Sequence, residues 1–164
     1  MPNWCQNTLE IKGNEEDLKE FISKAEDGKF TLAAYYPYET EDGEWDYYWC
    51  VEAWGTKWDV SEGPSMALVK PGSSVGQKST EMESDQGSIK ISFDTAWGPP
   101  VKALIKIAND WKSLDFELIW FEGGMWFAGR LNFDENCNPI TWDVDGDNLT
   151  EDIVEDLGFS NFYY

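Results

Sequence analysis

The sequence contains no histidine, and this absence removes several common kinds of active site. A serine–histidine–aspartate triad, a cysteine–histidine zinc site and an imidazole general base all need that side chain. The three cysteines, Cys5, Cys50 and Cys137, are odd in number and scattered, so we expect reduced thiols rather than a disulfide framework. We therefore expect a protein that is not an enzyme, with no catalytic residues, no metal site and no cofactor.

Long apolar runs are also missing. No run approaches the roughly 20 residues that cross a bilayer, and the first seven residues lack the basic and apolar segments of a signal peptide. The composition is nevertheless that of a folded chain, since 41% of the residues are apolar and 16% are aromatic. These features predict a single folded domain over residues 1–164 that is cytoplasmic and has no membrane contact.

Positive charge is scarce. Twelve lysines and arginines face 32 acids, and the net charge of −20 exceeds the magnitude of about 2–8 that keeps a small domain soluble. Residues 131–164 contain no basic residue at all but nine carboxylates: Asp134, Glu135, Asp143, Asp145, Asp147, Glu151, Asp152, Glu155 and Asp156. Such a segment repels nucleic acids and anionic membranes and attracts basic protein surfaces.

Four explanations of the acidity are open: mimicry of a polyanion, adaptation to high salt, cation binding, and a solvated surface that serves solubility only. Adaptation to high salt does not explain why the basic-free part is confined to the C-terminal region. A calcium loop that began at Asp143 would need glycine at its sixth position and glutamate at its twelfth, where Asn148 and Val154 stand. We therefore expect no calcium site there.

The spacing of apolar residues predicts the secondary structure of the first half of the chain. Residues 7–12 alternate as in a strand, and Asn14 is a suitable N-cap for a helix that ends at Gly28. Residues 30–36 have the pattern of a second strand. Residues 60–87 are predicted to be a loop insertion with one short helix at residues 66–69.

The second half of the chain shows the same kinds of signal. The predicted elements are a strand at 88–93, a helix opened by Pro99-Pro100, a hairpin of 116–121 with 125–133, a strand at 140–144 and a helix at 151–157 capped by Thr150. The order indicates an α+β, ferredoxin-like sandwich, in which two helices cover one face of an antiparallel sheet. An extra hairpin and an acidic C-terminal extension at 134–164 complete it. The side chains predicted to be buried between the helices and the sheet are Leu18, Phe21, Ile22, Val101, Leu104 and Ile105.

Four blocks of sequence resemble, in order, the YubB-like ferredoxin-fold family of plasmid and phage proteins. They are Met1-Pro2-Asn3-Trp4-Cys5, Trp54-Gly55-Thr56-Lys57-Trp58-Asp59, Phe93-Asp94-Thr95-Ala96-Trp97-Gly98-Pro99-Pro100, and Glu122-Gly123 with Phe127-Ala128-Gly129. The resemblance implies a ferredoxin-like sheet and a mobile-element protein, but no particular activity. The motif residues of structural or binding interest are Trp4, Trp54, Gly55, Thr56, Lys57, Trp58 and Trp97.

Six tryptophans and tyrosines are concentrated within residues 45–58. Acids are interleaved with them, whereas platforms that bind nucleic acids interleave aromatics with lysine and arginine. We interpret Trp54, Trp58 and Trp97 as packing between the sheet and its loops. The alternative is a carbohydrate or small-ligand groove built on Trp45, Trp49, Trp54 and Trp58. For Lys57 we expect a buried ion pair with an acid.

The charge and the mobile-element resemblance together favour one function. We expect a phage or plasmid accessory protein that binds a basic host protein, itself a nucleic-acid-binding protein, and that mimics nucleic acid to inhibit a host defence system. The nine acids of residues 134–156 would supply charge, and exposed Trp142, Phe159 and Phe162 would supply apolar anchors. A small-ligand module is the first alternative, and an enzyme based on carboxylates with one strongly raised pKa is the second. The oligomeric state does not follow from the sequence.

Overall fold

The computed structural model describes residues 3–60, 62–71 and 85–160, and these form one antiparallel sheet with helices on both faces. The sheet has the order β2-β1-β3-β4-β5, with β1 at Trp4–Asn14, β2 at Gln86–Ala96, β3 at Asp115–Glu122, β4 at Phe127–Phe133 and β5 at Pro139–Asp145. The α-helices of the described residues are α1 at Glu15–Ser23, α2 at Leu32–Tyr35, α3 at Tyr47–Ala53, α4 at Val101–Asp110 and α5 at Glu151–Asp156. None of these helices has the length and apolar character needed to cross a membrane.

Helices α1 and α4 cover the same face of the sheet, which we call the helix face. Along β1, Leu9 and Ile11 are fully buried while Glu10 between them is not, as the alternation of a half-buried strand requires. Leu18 of α1 and Leu104 of α4 belong to the same apolar cluster as Leu9 and Ile11. The predicted α+β arrangement, with two helices on one face of an antiparallel sheet, is confirmed.

The predicted buried stripes of the two helices need a small correction. Leu18, Phe21 and Leu104 are fully buried, whereas Ile22, Val101 and Ile105 are only partly buried. The buried stripe of α4 runs instead through Ala103, Leu104, Ile107 and Ala108. Those positions have the spacing of one helical face, so the two alanines, rather than the larger Val101 and Ile105, approach the sheet most closely.

The strand predicted at residues 30–36 is wrong, because α2 occupies that place. The Thr31 hydroxyl caps this helix by accepting a hydrogen bond from its third amide. The Asp59 carboxylate accepts two more, from the Leu32 amide at 2.7 Å and the Ala33 amide at 3.1 Å. Burial raises the pKa of Asp59, although these hydrogen bonds oppose the rise. Two side chains, Thr31 and Asp59, therefore cap the N-terminal end of this short helix and stabilise it over the extended form.

The predicted insertion also differs where it is described. Ser65 forms an isolated antiparallel bridge with Lys29, and Val69 forms another with Ser88 of β2, so the short helix expected at residues 66–69 is absent. Between these two bridges, Met66 is buried in the main core. Extended pairing therefore replaces the helix. The rest of the predicted insertion, Ser61 and residues 72–84, lies outside the described residues.

The acidic C-terminal segment is part of the folded sheet. It supplies β5, and α5 lies against the face opposite α1 and α4, which we call the tail face. There Val154 and Phe159 pack against Phe121 of β3 and Ala128 of β4 in a separate apolar cluster. Thr150 caps α5 by accepting a hydrogen bond from the Ile153 amide. The strand and the capped helix predicted for this segment are both confirmed.

The three cysteines differ in burial, and this predicts their order of reaction. All are free thiols, but Cys5 and Cys50 are buried and Cys137 is partly exposed. Burial raises the pKa of the Cys5 thiol, and the nearby Glu122 charge raises it further. Burial also raises the pKa of Cys50. We expect iodoacetamide to label Cys137 alone in the native protein at neutral pH, because thiolates react and buried thiols do not.

Mass spectrometry of the labelled peptides measures this directly, with urea-unfolded protein as the control in which all three cysteines react. Labelling of Cys5 or Cys50 in the native protein at the rate of Cys137 would contradict the described core.

Candidate functional site

Nine exposed carboxylates surround the outermost strand β5, and we call this surface the acidic edge. All nine acids predicted as partner-binding residues are exposed. Asp134 and Glu135 lie in the turn before β5, Asp143 and Asp145 lie on β5, and Asp147 follows it. The remaining four, Glu151, Asp152, Glu155 and Asp156, lie on α5.

The acids lie on both sides of the sheet edge. Asp143 and Asp145 pair with Gly129 and Phe127 of β4, and Phe127 packs into the core of the helix face. Because side chains alternate along a strand, both aspartates point to the helix face, whereas Val144 packs into the cluster of the tail face. The acids of α5 project from the tail face. A basic partner would thus meet negative charge on either side of β5.

No ion pair among the described residues neutralises these acids. The four ion pairs among the described residues involve Glu10, Glu15 and Asp110 as the acids, and none of them belongs to the acidic edge. Asp134 is the one acid of the edge with an evident local role. Its carboxylate accepts hydrogen bonds from Asn136 and Asn138, and the bonds from Asn138 hold its pKa below the usual value. The other acids are available to a partner.

The three aromatic residues proposed as anchors fall into different environments. Trp142, on the tail face of β5, is 46% exposed and fits the proposed role. Phe159 does not, because it is only 8% exposed and lies 5.8 Å from the Phe121 ring, between ring centroids. The expectation of an exposed Phe159 is therefore wrong, since this ring packs against β3 and β4. Phe162 lies outside the described residues.

A second surface is formed by Trp4, Trp58 and Trp97 around Lys57, and we call it the tryptophan cluster. The Lys57 Nζ lies 4.5 Å from the ring centroid of Trp58 and 4.7 Å from that of Trp97. Trp4 is 6.2 Å from Trp58 between ring centroids. Among the described residues Lys57 forms no ion pair, so the predicted pairing with an acid is wrong. Two aromatic rings hold this cation instead.

Hydrogen bonds to loop backbone position the tryptophan cluster. The Thr56 hydroxyl, which is buried, donates to the Ala96 carbonyl at 2.9 Å, and the Trp97 amide donates to the Asn3 carbonyl at 2.8 Å. Trp97 has a φ of 72° and Gly55 a φ of 83°. Left-handed backbone is unfavourable for tryptophan but accessible to glycine, so the hydrogen-bonded loops must hold Trp97 in place. Described residues of three motif blocks therefore meet in this region.

The groove predicted on Trp45, Trp49, Trp54 and Trp58 is not one surface. Trp54 is fully buried, its Nε1 donates to the Tyr36 carbonyl, and its ring meets that of Trp49 edge to face. Its interpretation as a packing residue is confirmed. Trp97, which was interpreted in the same way, is 45% exposed and packs only in part, against Tyr47 and Lys57.

Replacing Lys57 with methionine tests the two ring contacts. The substitution keeps an apolar side chain of similar length but removes the charge, so we expect the free energy of unfolding to fall by about 0.5–2 kcal/mol. Urea unfolding measures the change. Lys112→Met is the matched control, because Lys112 is exposed and is not placed over an aromatic ring. If the two substitutions lower the free energy of unfolding equally, Lys57 contributes only as one more positive charge and its two ring contacts add no stability.

Sequence reasoning missed a set of buried polar side chains beneath the tryptophan cluster. Asn7, Thr95 and Glu122 are all at most 2% exposed. The Asn7 Nδ2 donates to the Thr95 hydroxyl at 2.9 Å, and the Glu122 carboxylate accepts from the amides of Gly124 and Met125 at 2.6 Å and 2.7 Å. The sequence did indicate that Asn7 is buried, because the alternation of β1 places Asn7 on the same strand face as Leu9 and Ile11.

The hydrogen bonds of two carboxylates fix loops. Glu122 closes the β3–β4 turn, and Asp59, whose pKa is raised, caps α2. Among the described residues no three cysteine or carboxylate side chains come together as a metal site. The Asp143–Asp147 run is extended through Asp145, so its alternate carboxylates lie along a strand and do not surround a point.

The antiparallel sheet with two helices on one face defines an α+β protein of the ferredoxin-like class. A model of the family described as "Ferredoxin-like domain in Api92-like protein" matches residues 77–158, half of the chain, and the chain belongs to this family. No curated protein and no solved structure matches it. The matched part runs into α5, so the acidic edge lies within the family's domain, whose description names a fold and no reaction.

Proposed function

We propose that this chain is a non-enzymatic, cytoplasmic accessory protein of a phage or plasmid, related to the YubB-like proteins, that binds a basic host protein. The acidic edge is the binding surface, and the partner is a nucleic-acid-binding protein of a host defence system, which the chain inhibits as a nucleic-acid mimic. One observation carries the proposal: nine exposed acids lie on and around an edge strand, and no ion pair among the described residues neutralises them.

The placement of the charge supports mimicry over plain solubility. A solvated surface needs only scattered charge of modest magnitude. Here acids that form no ion pair among the described residues lie on both sides of one strand, much as two phosphate backbones carry the charge of a duplex on either side of a groove. A protein cleft that binds nucleic acid is lined by lysine and arginine, which such an edge can pair with.

Affinity capture with elution by DNA tests the proposal. The immobilised chain is exposed to a bacterial lysate at low salt, and bound proteins are eluted with duplex DNA and then with high salt. We expect basic nucleic-acid-binding proteins in the DNA eluate, because DNA and the acidic edge compete for the same cationic groups. Bound proteins that withstand both DNA and high salt would refute the proposal. The Debye length, beyond which exposed charges are screened, is already about 8 Å at physiological salt and is shorter at high salt, so a contact held by charge should not survive.

A second candidate function rests on the tryptophan cluster. Trp4 is 37% exposed and lies beside the Trp58 ring, and Trp97 is 45% exposed and lies beside Lys57. No described acid forms an ion pair with Lys57. Exposed rings of this kind stack on sugars or on planar small molecules. Ligand binding at this cluster would depend little on salt and would survive neutralisation of the acidic edge, which separates the two candidates experimentally.

A further inference from the structure

The outer side of β5 presents unpaired backbone groups. The Gly146 amide donates to the Trp126 carbonyl, and the Asp134 amide donates to the Asn138 carbonyl, on either end of the β4–β5 ladder. The register between these points is continuous, and hydrogen-bonded pairs alternate with non-bonded pairs in an antiparallel ladder. It follows that the N–H and C=O groups of Thr141, Asp143 and Asp145 point away from β4.

β5 has few of the features that usually protect an edge strand. Natural edge strands are blunted by bulges, by lysines or by proline within the strand. The β4–β5 register has no bulge, and the one proline, Pro139, occupies the first position. Asp143 and Asp145 do guard against one kind of pairing, because a second copy of this chain would bring its own acids against them. They do not guard against a basic strand.

We propose that β5 accepts an extended segment of the basic partner as a sixth strand of the sheet, a proposal that rests on the proposed function and specifies its partner. The segment alternates lysine or arginine with apolar residues. Its cations lie on the helix face opposite Asp143 and Asp145, and its apolar side chains lie on the tail face beside Ile140 and Trp142. Main-chain hydrogen bonds provide affinity in this mode of recognition, and the alternating side chains provide specificity.

The two side-chain rows of β5 match that alternation. Asp143 and Asp145 are two residues apart and share one face, while Ile140 and Trp142 are two residues apart and share the other. Ile140 is 51% exposed and Trp142 is 46% exposed, so both are available for contact. A segment with cations at every second position satisfies both rows at once, whereas a block of adjacent cations places half of them on the apolar row.

The probe is a seven-residue peptide that alternates lysine and valine, with a peptide of the same composition but contiguous lysines as the sequence control. A third peptide carries N-methyl groups on the amides that would face β5, which removes donors and keeps the charge. Fluorescence anisotropy gives the dissociation constants. We expect the alternating peptide to bind at least 10-fold more tightly than either of the others.

Matched variants of the chain test the same contact by changing β5 instead of the peptide. Thr141→Pro removes one outward amide donor from an edge strand, where proline is tolerated, and Thr141→Val retains it. We expect Thr141→Pro to weaken binding of the alternating peptide at least 10-fold and Thr141→Val to leave it unchanged. Circular dichroism shows whether each variant is folded. If Thr141→Pro does not fold, the N-methylated peptide tests the same main-chain hydrogen bonds on the original chain.

The outcomes separate this inference from the proposed function. If Asp143→Asn with Asp145→Asn abolishes binding while the N-methylated peptide and the contiguous peptide bind as well as the alternating one, strand addition is overturned and charge recognition stands. If both asparagine substitutions leave binding unchanged, the basic partner is overturned and the proposed function falls with it. Dimerisation through β5, detected by sedimentation and abolished by Thr141→Pro, would also overturn the inference, because a second copy would then be the occupant.

Discussion

Five asparagine substitutions on the acidic edge are expected to weaken binding of the captured basic protein by roughly 5- to 4000-fold at low salt. The substituted residues are Asp143, Asp145, Asp147, Asp152 and Asp156. Each is exposed, and an exposed ion pair contributes about 0.2–1 kcal/mol, so five lost pairs correspond to about 1–5 kcal/mol. The dependence of affinity on salt should fall in parallel. Titration calorimetry at two salt concentrations measures both effects.

A charge-matched variant makes this prediction specific to the edge. This variant also removes five negative charges, by glutamine substitutions at exposed acids that lie before β2 in the chain. The substituted residues are Glu20, Glu26, Glu39, Glu41 and Glu52. We expect this variant to bind nearly as well as the original chain. If the two variants weaken binding equally, the net charge alone attracts the partner, and the acidic edge is not a binding surface.

The substitution Phe159→Ala is expected to lower the free energy of unfolding by about 3–5 kcal/mol, the usual cost of removing a buried phenylalanine ring. Phe159 packs with Leu149 and Val154 against Phe121, and these side chains fasten the acidic segment to the tail face. Trp142→Ala is the control, because Trp142 is half-exposed on the outer strand and should cost less than about 1 kcal/mol.

Urea unfolding of the two variants measures the contrast. A loss of stability for Trp142→Ala as large as that for Phe159→Ala would contradict the described packing of the C-terminal segment. The same experiment separates structure from recognition. Trp142→Ala should weaken the binding of the basic partner without unfolding the chain, whereas Phe159→Ala acts through the fold.

Local patterns predicted much of the fold because their signals lie within a few residues. Asn14 and Thr150 accept the capping hydrogen bonds expected of them, and the hairpin forms around Glu122. The helix at Leu32–Tyr35 was missed because its decisive cap, Asp59, is 27 residues further along the chain. No local window contains both partners.

At the candidate site, too, some features followed from the residues themselves and others depended on the tertiary structure. The exposure of the nine acids followed from their charge, because an unpaired carboxylate is costly to bury. The burial of Phe159 did not follow, since Trp142 and Phe159 are both aromatic residues in an acidic segment and only the sheet distinguishes them. Lys57 was assigned an acid partner on the rule for buried cations, but the loops bring it two tryptophan rings instead.

The fold explains how so much like charge is tolerated in one place. Among the described strands, β5 pairs with β4 alone, and its aspartates on the helix face remain exposed to water. On the tail face, α5 buries Val154 and keeps its four acids outside. Apolar contacts therefore anchor each acidic element from its inner side. The charge stays exposed without entering the core.

Hydrogen exchange of the chain, with and without the captured basic protein, tests the central claim most directly. If the acidic edge is the binding surface, the amides of residues 140–145 and Glu151–Asp156 will exchange more slowly in the complex, and those of Tyr47–Ala53 and residues 54–58 will not change. Protection confined to residues 47–58 and Trp97, with unchanged exchange in β5 and α5, would contradict the account and place the binding surface at the tryptophan cluster.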